Sequence, residues 1–168
     1  MLGLLRSLSN IDSEGCYVII LPPARPDIIL DLPPNFRLLR LSPRLRMPWL
    51  RLLWQQIVLP FLLYQLKAEV LLSPNDYTCL AAPCPVVLGI QNSNPYWGPR
   101  ATSLAARLRE VVLRVLTFLS ARKAAKVFFV SEYSRQLIGP RIGVKQSKSV
   151  VIYHGVAEEF FELGSCPA

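Results

Sequence analysis

Short apolar runs alternate with longer segments of helical periodicity along the 168 residues of the chain. Most of these runs are rich in Val, Ile, Leu and Phe and lack the polar alternation of a strand with one solvated face. Strands that are covered on both faces have this composition, as in a parallel sheet with helices on each side. Six such runs occur, at residues 16–21, 36–41, 69–72, 86–90, 126–130 and 149–153.

Helical segments lie between the runs. Residues 49–67 are apolar on all sides, which predicts a well-buried helix with a kink or break at Pro60. Ser131 can cap a short helix over residues 132–138, and Gly139 ends it. Strands and helices that alternate with short connections predict an α/β fold, a Rossmann-like doubly wound parallel sheet.

The clearest helix is predicted over residues 103–122. Its apolar residues recur at helical spacing and form one stripe, which we expect to cover the strands. The basic residues of this helix have two interpretations: attraction to anionic lipid, or a solvated face opposite a packed stripe. We favour the solvated face, because the apolar stripe is needed to cover the strands of the sheet. The stripe comprises Leu104, Leu108, Val111, Val112, Val115 and Leu119.

Basic residues outnumber acidic ones by 19 to 11, so the net charge is +8. Such an excess points to an anionic partner, which could be membrane lipid, nucleic acid or a phosphorylated substrate. A second basic cluster lies at residues 37–51, and peripheral contact with an anionic membrane is one hypothesis for it. A nucleic-acid partner is not expected, because no nucleic-acid-binding motif and no basic patch interleaved with aromatic residues is visible.

Composition excludes several classes of protein. A hydrophobic content of 52% excludes intrinsic disorder. Four scattered cysteines and one histidine show no metal-ligand spacing, so we expect no metal site and interpret the cysteines as buried thiols in a reducing compartment. No apolar segment reaches the roughly 20 residues of a membrane span, and no signal peptide is visible. We therefore expect a cytoplasmic protein that could dock on the inner face of the membrane.

Polar or small residues follow the apolar runs, at the carboxyl ends of the predicted strands. In an open parallel sheet, ligands bind beyond these ends. Such a rim suits a polyhydroxylated ligand, although strand ends are also polar in α/β proteins without that function. His154 could accept a proton or bind a ligand, but a lone histidine after a strand more often bonds locally. The candidate binding residues are Gln91, Asn92, Ser131, Glu132, His154 and Gly155, and no catalytic residue is assigned.

Five segments, in order along the chain, resemble the amino-terminal domain of family 4 (group 1) glycosyltransferases. The resemblance extends from about Tyr17 to Phe161, and its most specific parts are VSEYS at residues 130–134 and VIYHGV at residues 151–156. It implies one half of a GT-B fold, in which two Rossmann-like domains face each other across a cleft. The other three segments lie at residues 54–60, 69–75 and 85–92.

In this family the amino-terminal domain mainly holds the acceptor, and the carboxy-terminal domain holds the nucleotide-sugar donor. The resemblance therefore implies transfer of a sugar, with retention and without a bound metal, to a glycan or lipid-linked acceptor. The nucleotide-sugar would be a substrate, and no cofactor is implied. Our six candidate residues would then line the acceptor side of the cleft, as groups that hydrogen-bond to a sugar.

Three departures from the family pattern shape our expectations. The family's first strand and glycine-rich loop would precede Leu2, and the donor domain would follow Ala168. Where the family often has His-Asp, this chain has Gln91 and Asn92, and neither can act as a general base. We expect residues 1–160 to form a partial amino-terminal domain and residues 161–168 to begin a linker. We also expect the chain alone to be marginally stable, with little or no transferase activity.

Two other functions stay open. The chain could be a non-catalytic α/β binding module, or a partner subunit that completes its sheet with another chain. It could also be a basic peripheral membrane protein, for which we expect salt-sensitive lipid binding that is lost when the arginines at residues 37–51 are neutralised.

Overall fold

The computed structural model describes residues 2–23, 32–91 and 103–155. Contacts divide the chain into two compact units. The first unit comprises Met1–Leu52 with Gly155–Ala168, and the second unit comprises Leu53–His154. The boundary of a domain at residue 160 stays a prediction, because the residues around it lie outside the described ranges.

The first unit contains a helix followed by two parallel strands. Strands β1 and β2 pair in register, so that Tyr17 lies opposite Phe36. The rings of these two residues stack with their centroids 4.6 Å apart. The elements are α1 (Leu2–Ile11), β1 (Tyr17–Leu21), β2 (Phe36–Arg40) and a short 3-10 helix (Pro43–Arg46).

A hydrogen-bonded turn joins the end of α1 to β1 and β2. The Asp12 carboxylate accepts hydrogen bonds from the backbone N–H groups of Glu14 and Gly15 and from the hydroxyl of Tyr17. The Asn35 side chain, just before β2, donates to the Gly15 carbonyl at 2.8 Å. Together these bonds determine how the chain enters both strands.

The second unit contains a four-stranded sheet in the order β3-β4-β5-β6, in which every neighbouring pair is parallel. All six predicted strands and all three predicted helices are present, and the α/β fold class with parallel sheets is confirmed. The strands form two sheets, of two and four strands. The elements are α2 (Pro48–Gln65), β3 (Leu71–Ser73), β4 (Val86–Ile90), α3 (Leu104–Lys123), β5 (Lys126–Phe129), α4 (Glu132–Ile138), a 3-10 helix (Gln146–Lys148) and β6 (Ser149–Val151).

The core of the second unit lies between one face of the four-stranded sheet and two helices. Strands β4 and β5 contribute large side chains that are almost completely buried. Ala121 of helix α3 and Ala124, just after its end, are small, so the backbone here lies close to the strands. The core residues are Leu88, Ile90, Ala121, Ala124, Val127, Phe129, Ile138 and Ile142.

Helix α3 packs with the opposite side from the one that its sequence predicts. Its buried residues are the small Thr117, Ser120 and Ala121, and the Ser120 hydroxyl accepts a hydrogen bond from the backbone N–H of Thr78 at 3.0 Å. The apolar stripe lies on the other side of the helix, where Leu108 is 64% exposed. The expectation that the stripe covers the strands is therefore wrong, because small residues allow a closer approach to the sheet than leucine and valine would.

Helix α2 also differs from its prediction. It continues through Pro60 without a break, and its buried residues are Leu59 and Leu63. Ile57, Phe61 and Tyr64 are exposed, so the helix is not buried on all sides. A sequence that is apolar all round does not show which face is covered, and here only one narrow face is.

The Asp12–Tyr17 pair gives a prediction on pH. The Tyr17 hydroxyl, with backbone N–H groups as lesser causes, holds the pKa of Asp12 below its ordinary value of 3.8. A lowered carboxyl pKa stabilises the fold above that ordinary value, and this stabilisation is lost as the pH falls through the folded-state pKa. We expect Tyr17→Phe, which keeps the ring against Phe36, to raise the pKa of Asp12 in an NMR titration. An unchanged Asp12 pKa would show that the hydroxyl does not act on this carboxylate.

Gly89 in β4 gives a prediction on packing. A Cβ atom at this position would clash with the Cζ atom of Phe128, on the neighbouring strand. We expect Gly89→Ala to lower the free energy of unfolding by about 1–3 kcal/mol in chemical denaturation.

The control for this substitution is Gly155→Ala, since a Cβ atom there meets nothing within 4 Å. We expect it to change the stability by less than about 1 kcal/mol. Adding Phe128→Leu to Gly89→Ala should recover part of the loss, because the clash is with the ring. Equal effects of the two alanines would contradict this packing.

Candidate functional site

The candidate site is the carboxyl edge of the four-stranded sheet. Ile90 pairs with Phe129, and Phe129 pairs with Val151, so β4, β5 and β6 end level with one another. Because the strands are parallel, the residues that follow them project from the same edge. Of the predicted residues, Gln91, Ser131, Glu132 and His154 are therefore brought to one edge.

Gln91 is the first residue beyond β4, and it is exposed. Its backbone N–H donates to a carboxylate oxygen of Asp76 at 2.9 Å. Asp76 belongs to the loop that follows β3, so this bond joins the ends of two neighbouring strands and leaves the Gln91 side chain at the rim. Asn92 lies outside the described residues.

Ser131 and Glu132 begin α4, directly beyond β5. The Ser131 hydroxyl accepts the backbone N–H of Ser134 at 3.1 Å and so caps the helix, as predicted. The Glu132 carboxylate accepts from Arg135 at 2.6 Å and from Gln136 at 3.2 Å, both on its own helix. These bonds hold the carboxylate in one orientation. The Glu132 side chain is 41% exposed to solvent.

His154 and Gly155 follow β6. Both are exposed. The space around Gly155 is open, since an added Cβ atom would meet nothing within 4 Å.

The loop between β3 and β4 is held by three hydrogen bonds from two side chains. The Gln56 side chain of α2 donates to the Thr78 carbonyl at 3.0 Å and accepts the Leu80 N–H at 3.1 Å. Ser73, at the end of β3, donates its hydroxyl to the Tyr77 carbonyl at 3.1 Å. The backbone that presents Asp76 to the rim is thus held rigidly.

Asp76 and Gln56 are the two residues of the site that the candidate set omits. Asp76 is one of the polar residues that follow the third predicted strand, although the candidate set does not include it. Nothing local indicates its bond to Gln91, 15 residues later in the chain. Gln56 lies within a segment of the family resemblance, but its two bonds depend on a loop whose conformation the sequence does not give.

The chemistry available at this edge is hydrogen bonding. Amide, hydroxyl, carboxylate and imidazole groups can each donate to or accept from the hydroxyls of a sugar. Within the described ranges, no group of three or more His, Cys, Asp or Glu side chains is placed to hold a metal ion. The absence of a metal and of a cofactor in the working protein stays a prediction.

The two described thiols of the second unit are buried and do not act as nucleophiles at this edge. Cys166 lies outside the described residues. Cys79 and Cys84 are buried, as predicted, and burial raises the pKa of the Cys79 thiol, which keeps it protonated. Cys16 is exposed, so the expectation of a buried thiol is wrong there. Cys16 precedes β1, where the turn at Asp12 carries the chain along the surface.

Parallel strands with helices packed against the sheet define a Rossmann-like α/β fold. In a comparison with protein families, the model of Glycosyltransferase Family 4 matches residues 4–160 of the chain. The chain belongs to this family. Searches of curated proteins and of solved structures gave no match.

No helix within the described ranges is both long and apolar enough to cross a membrane.

The bond between Asp76 and Gln91 gives a prediction on the rim. We expect Asp76→Ala to increase hydrogen exchange of the Gln91 amide by about tenfold, since a bond to a charged acceptor is lost. Asp76→Asn, which keeps a side-chain oxygen, is the matched control and should have a smaller effect. Equal protection in all three proteins would show that Asp76 does not hold the end of β4.

Proposed function

We propose that this chain supplies the acceptor side of a glycosyltransferase. The enzyme would transfer a sugar from a nucleotide-sugar donor to a glycan or lipid-linked acceptor, with retention. Membership of the family supports transferase chemistry in general. The observation that supports the acceptor role is the single edge at which Gln91, Ser131 and His154 follow three parallel strands.

The residues of the rim would bind and orient the acceptor. Gln91 offers both a donor and an acceptor from its side chain, and His154 offers one of each when it is neutral. Glu132, oriented by Arg135, would accept from a sugar hydroxyl. No residue of this chain is assigned as nucleophile or base. The proposal also places the enzyme in the cytoplasm.

A second candidate is a partner subunit without catalytic activity. Leu72 on β3 and Val150 on β6 are each 44% exposed. The strand register places them on the sheet face opposite the core. Large apolar residues exposed on a sheet face favour cover by another protein surface.

Binding of oligosaccharides tests the acceptor role. We expect His154→Ala and Gln91→Ala each to weaken the binding of an oligosaccharide from a glycan panel by about fivefold to tenfold, because each removes a hydrogen bond. Gln146→Ala, an exposed residue in the 3-10 helix before β6, is the control and should change the affinity little. Calorimetry or weak-affinity chromatography measures the difference.

Two outcomes would contradict the proposal: no binding across the panel, or binding that the control variant weakens as much as the rim variants. The 168 residues alone should show little or no sugar transfer with UDP- or GDP-sugars, since the family places the donor in a carboxy-terminal domain. Detectable transfer would overturn that part. Formation of a stable heteromer together with no sugar binding would favour the partner subunit.

A further inference from the structure

Helix α3 presents its apolar stripe to the solvent. The six side chains of the stripe are between 41% and 84% exposed. They recur along most of a helix of 20 residues, which is about 30 Å long. The side of α3 that packs on the sheet consists instead of Thr117, Ser120 and Ala121. The stripe therefore contributes little to the core, although it is the most regular apolar pattern of the chain.

Basic residues border the stripe on both sides. At 100° per residue, Arg107 and Arg114 lie along one border, and Arg109 and Lys123 lie along the other. All four are exposed. Arg122 stands at the carboxyl end of the stripe itself, with its guanidinium 5.5 Å from the centre of the Phe118 ring.

The outward surface of α3 has a single sign of charge. The helix contains five basic residues and one acidic residue, Glu110. Glu110 is 23% exposed and forms an ion pair with Arg114 at 3.0 Å, so these two charges offset each other and the other four basic residues give the surface its positive charge. An aliphatic stripe bordered by cations is the pattern of a helix that lies in the interface of an anionic membrane.

We propose that the outward face of α3 docks on an anionic phospholipid bilayer, with its leucines and valines among the acyl chains and its arginines at the phosphates. This proposal does not depend on the proposed transferase activity. Two copies of the chain are a poorer fit, because the facing stripes would bring arginines together. A protein partner is also a poorer fit, because the stripe lacks the Trp and Tyr residues that anchor such interfaces.

Vesicle binding of the full chain tests the proposal. We expect binding to vesicles of phosphatidylglycerol and phosphatidylcholine that exceeds binding to pure phosphatidylcholine by at least about tenfold and weakens with added salt. Leu108→Gln with Val115→Gln should reduce the partition coefficient by at least about tenfold, since two apolar side chains no longer enter the bilayer. Arg109→Gln should reduce it by about fivefold.

Matched controls separate this face from the rest of the chain. Ile57→Gln removes an apolar residue of α2 that is comparably exposed, and Lys145→Gln removes an exposed charge elsewhere. Both should leave binding within about twofold of the unchanged chain. Circular dichroism should be the same for all variants, because every substituted side chain is exposed.

Three results would overturn the proposal. The first is equal binding to neutral and anionic vesicles, or no binding to either. The second is loss of binding only when Arg44 and Arg46 of the first unit are neutralised, while the α3 variants bind normally. The third is self-association of the chain that Leu108→Gln with Val115→Gln abolishes, which would assign the stripe to a second copy.

Discussion

The parallel register of the four-stranded sheet is the constraint on which the candidate site depends. Ile90, Phe129 and Val151 lie level across three strands, so their successors emerge at one edge. The same strands bury Leu88, Ile90, Val127 and Phe129 against α3 and α4. A slip of one residue would turn these side chains to the other face and expose them. The packing that holds the core thus also aligns the polar rim.

The choice of small residues for the inner side of α3 has consequences on both sides of that helix. Ser120 can bond to the backbone of Thr78 because no larger side chain intervenes. That bond steadies the loop which carries Asp76 to the end of β4. On the outer side, the large apolar residues are left to the solvent, where they form the surface that we assign to the bilayer. The small residues on the inner side of α3 therefore affect both the polar rim and the outward face of the helix.

Much of the local structure follows from the sequence. The strands are recognisable because β-branched and aromatic runs stop at polar residues, as at Ser131 and His154. The cap of α4 is recognisable because serine stands before a short helical segment. These features depend on neighbouring residues, and the structure agrees with their prediction.

The features that the sequence did not reveal all depend on distant residues. Apolar spacing located the stripe of α3, but spacing alone does not say whether a stripe faces the sheet or the solvent. The bond from Gln91 to Asp76 joins two loops, and the arrangement of six strands as two sheets depends on which strands meet. Asn92 lies outside the described residues, so its role stays a prediction.

The most direct measurement is the set of intermolecular NOEs between a bound oligosaccharide and the isotope-labelled chain. If the carboxyl edge of the sheet is the acceptor site, sugar protons will show NOEs to Ser131 and His154. They will show none to Lys126 or Ser149, which begin β5 and β6 at the opposite edge. Contacts to Lys126 and Ser149 in place of the rim would contradict the acceptor role of this edge.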